Sequence, residues 1–115
     1  MGQLTTHVLD TGAGVPAAGI RIELRSLSGT VPDAIVRITG DDGRCAPLLA
    51  ADEFRVGRYE LTFYCGAYFR ARGVQLPDPA FIEQAVVRFG VAQESQHYHV
   101  PLLISPWSYT VYRGG

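Results

Sequence analysis

The chain has 115 residues, 47% apolar and 18% charged, with a formal net charge of −1 from ten basic and eleven acidic side chains. That size and balance describe one globular domain, residues 1–115, able to bury a core without staples, and they exclude a disordered chain. Charges are interspersed, so there is no basic stripe for nucleic acid, and runs such as "VPLLI" are too short to span a bilayer.

The opening "MGQLTTHVLD" has no basic region followed by an apolar stretch, so it reads as a strand rather than a signal peptide, and a cytoplasmic location is expected. "LTTHVLD" alternates and stops at the turn-forming "DTGAGVP". "GIRIELRSL" is the cleanest strand, with Ile20, Ile22 and Leu24 on one side and Arg21, Glu23 and Arg25 on the other. "AIVRITG" runs into the turn "DDGR"; "ADEFRVG" reads as an irregular connection; "RYELTFY" places Tyr59, Leu61 and Phe63 on one face. After Cys65, "GAYFRARG" holds about two turns of helix, ended by "PDPA". "AVVRFGVA", "HYHVPLLIS" and "WSYTVYR" are further strands. Many short strands with one short helix predict an all-β sandwich. The two cysteines, Cys45 and Cys65, are expected as free thiols.

Period two then sorts the faces. His7 lies with Thr5 and Leu9, opposite Leu4, Thr6 and Val8. His97, His99, Pro101 and Leu103 oppose Tyr98, Val100, Leu102 and Ile104, while Ser108, Thr110 and Tyr112 oppose Tyr109 and Val111. The more uniformly apolar side is the expected core, which leaves a half-polar histidine face suited to a ligand groove or an interface between subunits. Pro101 cannot donate a ladder hydrogen bond, so it belongs at an edge, a bulge or a break in pairing.

Two kinds of chemistry fit that face. The spacing His97-x-His99, with His7 as a third nitrogen, matches a catalytic zinc site, but no third ligand is fixed by the sequence. Alternatively, an imidazole takes a proton from water at neutral pH while a cation, Arg44 or Arg113, holds the developing oxyanion. On position alone either arginine reads more readily as a solvated surface residue, and the histidines read equally as packing or interface residues. There is no G-x-S-x-G elbow, no phosphate-binding loop and no dinucleotide fingerprint.

The segments "LTTHVLDTGAGVPAAGI", "TGDDGRC" and "HYHVPLLISPWSYTVYRGG" resemble the transthyretin-like 5-hydroxyisourate hydrolases of purine catabolism, over essentially the whole chain. The hormone carrier transthyretin shares the fold but lacks the HYH segment and the YRG ending. The resemblance implies a transthyretin-like sandwich of two four-stranded antiparallel sheets with one short helix. It further implies a homotetramer of paired dimers, with active sites in the dimer–dimer channel and no metal or organic cofactor. It places catalytic positions on His7, Arg44 and His99, with His7, Arg44 and Tyr112 binding the purine-like substrate. His97 becomes a supporting partner and Arg113 an anchor of the terminal segment. The chain departs from the pattern at its end, with Gly115 in place of the family's serine, and at Val111, where threonine is usual. The competing expectations are a carrier of a small planar ligand and an interaction module with incidental zinc affinity.

Overall fold

The computed structural model describes residues 2–114. Alternation of apolar and polar residues decides most of its elements. Strand β1 (Gln3–Asp10) buries Leu4, Thr6, Val8 and Asp10 and half-exposes the residues between them. The short β2 (Val15–Pro16) follows, then β3 (Arg21–Ser26), β4 (Ile35–Ile38) and the two-residue β5 (Leu49–Ala50). The connection expected as irregular contains a 3-10 turn at Ala51–Glu53. Strand β6 (Gly57–Phe63) buries Tyr59, Leu61 and Phe63 as the alternation requires, and leads into α1 (Cys65–Ala71). Strands β7 (Ala85–Val91), β8 (His97–Ile104) and β9 (Tyr109–Val111) complete the chain.

Two sheets pack face to face. The first has the order β2-β1-β8-β9, with β5 also paired to β1; the second has the order β4-β3-β6-β7. Their inner faces supply one core, in which Leu4, Ile22, Leu24, Tyr59, Leu61, Phe63 and Leu102 are buried. Each such side chain stabilises the fold by about 1.5–3 kcal/mol relative to exposure. No helix among the described residues is long and apolar enough to cross a membrane.

The sandwich and its single helix follow the sequence expectation, but the count and direction of strands differ. The first sheet has five strands rather than four, and β1 pairs with β8 in parallel, from Gln3–His97 to Asp10–Ile104. The extra strands have two residues each, too few to display a period, and Val15–Pro16 lies inside a stretch that reads as a turn. Period-two alternation is also blind to direction: a strand buried on one face alternates identically in parallel and antiparallel ladders.

Two further features hold the site's framework. Asp10 is 2% exposed at the end of β1, and its carboxylate accepts from Tyr68 Oη at 2.9 Å and from Ala13 N at 3.0 Å. The helix is thereby tied to the strand that carries His7. Burial and the adjoining Asp10 push the Tyr68 hydroxyl up to about 12. Both cysteines are free, and burial pushes the Cys65 thiol up to about 11, which suits a packing role. Pro101 lies in a central strand but at a break in pairing. Tyr112 N donates to Pro101 O at 3.4 Å, Pro101 has no N–H to return, and β9 ends at Val111.

Candidate active site

The parallel ladder of β1 and β8 puts Gln3 across from His97, Thr5 across from His99, and His7 across from Pro101. Residues two apart share a face, so all three imidazoles stand on the outer side of the first sheet. The structure brings Arg44 to the same place: it pairs with His7 in an isolated antiparallel bridge between β1 and the β4–β5 connection. That connection is shaped locally. Asp42 Oδ1 accepts from Arg44 N at 3.0 Å, and Gly43 adopts a left-handed φ of 76°. A side chain at Gly43 would run into the Val8 carbonyl and crowd the His7 ring, so only glycine turns the chain here.

Each imidazole is oriented by an oxygen. His7 Nε2 donates to the Asp42 carbonyl at 3.0 Å. Thr5 Oγ1 lies 2.8 Å from His97 Nε2 and 2.8 Å from His99 Nδ1, so one hydroxyl joins two histidines. Burial, then the charges of Arg44, His97 and His7, lower the pKa of His99 below the ordinary imidazole value of 6.5, favouring the neutral form at pH 7. Among the described residues no carboxylate hydrogen-bonds to any of the three imidazoles, and no group of three or more His, Cys, Asp or Glu is placed to hold a metal ion. The nitrogens His97 and His99 turn toward one another are engaged by Thr5.

The chain end closes over this face. Gly114 N donates to His99 O at 2.7 Å, and a Cβ at Gly114 would lie 2.9 Å from His99 Cδ2. Arg113 lays its guanidinium 4.0 Å from the centre of the Tyr98 ring and donates to Gln96 Oε1 at 3.0 Å and His97 O at 3.4 Å. Tyr112 is not gathered with the histidines. It is 56% exposed and lines, with Val87, Phe89, Tyr98, Val100 and Val111, a cavity of about 220 Å³ between the free edges of the two sheets. The expectation on Gly115 lies outside the described residues.

Four contributors escaped the sequence reading: Thr5, the Asp42 carbonyl, Gly43 and Gly114. Thr5 was placed on the histidine face by alternation, yet nothing in a sequence marks one threonine as the bridge between two histidines ninety-two and ninety-four positions away. The "DDG" turn carried a signal for Gly43 as a turn glycine, without its contact to β1.

Comparison with known proteins places these residues in context. Residues 4–114 match the model of the HIUase/Transthyretin family. A 5-hydroxyisourate hydrolase of Pseudomonas aeruginosa is 56% identical over 116 aligned positions, which cover 99% of this chain and 92% of that protein. The crystal structure of an (S)-allantoin synthase superposes with a TM-score of 0.92 at 46% identity, covering 99% of this chain, which spans only 44% of that longer protein. A transthyretin from Sparus aurata superposes with a TM-score of 0.83 at 27% identity over 97% of this chain and 96% of its own. From residue 4 to residue 114, through the β1–β8 face and the Arg44 turn, the chain belongs to the HIUase/Transthyretin family.

Proposed function

We propose that the chain hydrolyses 5-hydroxyisourate to 2-oxo-4-hydroxy-4-carboxy-5-ureidoimidazoline in urate degradation. The observation that carries this reading is the meeting of two imidazoles and a guanidinium, His7, His99 and Arg44, on one sheet face, where no carboxylate among the described residues hydrogen-bonds to the imidazoles. His7 and His99 orient a bound water, and His99, held neutral, takes its proton as the oxygen bonds to a ring carbonyl carbon. Arg44 receives the charge that develops on that carbonyl oxygen. Collapse breaks the ring C–N bond, and an imidazolium returns a proton to the departing nitrogen. Arg113, stacked on Tyr98, fixes the terminal segment.

The same reading includes a homotetramer. Strands β7 and β9 are each the outermost strand of a sheet, so their outer backbone groups are available to a second copy. An edge-paired dimer would cover the cavity lined by Tyr112, and two dimers meeting through the histidine faces would form the channel in which substrate binds. The alternative, carriage of a planar ligand as transthyretin's fold allows, gives no use to paired imidazoles beside an arginine.

The test is the ultraviolet absorbance decay of freshly generated 5-hydroxyisourate. The protein is expected to accelerate decay far above the spontaneous rate, and no acceleration would favour the carrier.

A further inference from the structure

The two imidazoles assigned to water activation are oriented by chemically different oxygens. A carbonyl only accepts, so His7 Nε2 carries its hydrogen toward Asp42 O and the neutral ring keeps its lone pair on Nδ1. That tautomer has no alternative. His99 faces a hydroxyl instead, and the same hydroxyl faces His97. Thr5 Oγ1 has one proton to give, so it donates to one of the two nitrogens and accepts from the other. Two arrangements satisfy all three groups. In the first, His99 Nδ1–H donates to Thr5, Thr5 donates to His97 Nε2, and His99 Nε2 is a free base. In the second, every hydrogen bond is reversed and His99 Nε2 holds a proton.

We infer that Thr5 and His97 form with His99 a reversible proton chain that sets which nitrogen of His99 is protonated and connects that nitrogen to solvent. The inference rests on the reading of His99 as a water-activating base. From the first arrangement, water gives a proton to His99 Nε2 as its oxygen bonds to the substrate carbon. His99 Nδ1 then passes its proton to Thr5 Oγ1 while Thr5 passes its own to His97 Nε2. His97, at an exposed position, releases its Nδ1 proton to solvent. The chain now stands in the second arrangement. When His99 Nε2 delivers its proton to the departing nitrogen, the bonds reverse and His97 takes one proton back, so atoms and charge balance over the cycle.

The surroundings fit a neutral relay. Among the described residues, the charged or titratable groups bordering it are His7 on β1, Asp42 and Arg44 on the β4–β5 connection, and Arg113 beyond β9. The Asp42 carboxylate is turned to the Arg44 amide, and the Arg113 guanidinium to Tyr98 and Gln96. The backbone under both histidines is pinned, by Arg113 at His97 O and by Gly114 at His99 O. Thr5 and His97 are therefore positioning residues, and His99 is the group that meets water.

The test compares Thr5→Val, which keeps shape and removes the hydroxyl, with Thr5→Ser, which keeps the hydroxyl, and with His97→Asn at an exposed position. Thr5→Val and His97→Asn are each expected to lower kcat roughly 10–100-fold, the scale for losing the orienting partner of an imidazole, with KM little changed and the pH profile displaced. The double variant should be no worse than either single one, and Thr5→Ser should retain most of the turnover. Normal kcat and pH profile in both Thr5→Val and His97→Asn, alongside an inactive His99→Ala, would overturn the chain and leave the role of His99 standing. An active His99→Ala would overturn both. Should Thr5→Val fail to fold, the exposed His97→Asn decides alone.

Discussion

The two outer sheet faces are built on the same core and treat charge in opposite ways. On the β4-β3-β6-β7 face, arginines and carboxylates find each other along and across the strands. Arg25 meets Glu23 at 2.6 Å, Arg21 meets Glu23 at 3.5 Å, and Arg88 meets Glu60 at 2.9 Å. On the β1–β8 face, His7, His97 and His99 are met by a carbonyl and a hydroxyl, with the cations Arg44 and Arg113 nearby. The first face ties each of its carboxylates Glu23 and Glu60 to an arginine. The second leaves imidazoles oriented but unneutralised, which preserves their capacity to exchange protons. A carboxylate beside His99 would raise its pKa and hold it charged; burial and Arg44 do the reverse.

Substitutions should separate the two faces by orders of magnitude. His7→Ala or His99→Ala is expected to cut turnover of 5-hydroxyisourate roughly 10²–10⁴-fold with unchanged circular dichroism. Near-normal turnover in both would remove the distinction between the faces. Tyr68→Phe strips the buried Asp10 carboxylate of its hydroxyl donor and should cost about 1.5–3 kcal/mol in urea unfolding, leaving kcat near wild type at temperatures where the variant is folded. Gly43→Ala forces a side chain into a left-handed position against Val8 and should cost about 1–3 kcal/mol, with turnover falling further than the unfolded fraction explains.

Acid should affect the histidine face first. With its folded pKa depressed, His99 binds a proton less readily than in the unfolded chain. Its contribution to stability is present above pH 6.5 and is lost as pH falls through its folded value. The acid limb of kcat/KM should accordingly lie below 6.5, and a limb centred above that value would contradict the burial of His99. At the small end, Arg88→Ala on the opposite face should change stability by less than about 1 kcal/mol and turnover not at all, because its side chain is 73% exposed.

Much of this was legible in the residues. Alternation in "LTTHVLD" and "HYHVPLLIS" separated Leu4, Val8, Tyr98 and Leu102 from the histidines, since one buried face per strand imposes a period of two wherever a strand is long enough to show it. The helix was anticipated at 66–73 and forms at Cys65–Ala71. The likeness of three segments to a known family singles out His7, Arg44 and His99, and these three meet on one sheet face. Tyr112 shows the limit: alternation assigned its face, but its place in a cavity at the free sheet edges depends on β7, a strand more than twenty residues earlier.

By itself, then, the sequence determined which side chains are core and which face is polar, because that division follows from local periodicity and the cost of burying polar groups. Only the tertiary structure decided that β1 runs parallel to β8, that one threonine hydroxyl serves two histidines, that Gly43 brings the Arg44 turn against His7, and that Gly114 lies across the His99 ring. Those are contacts between distant segments, and their geometry is fixed by which strands and loops pair within the first sheet, which no local pattern encodes.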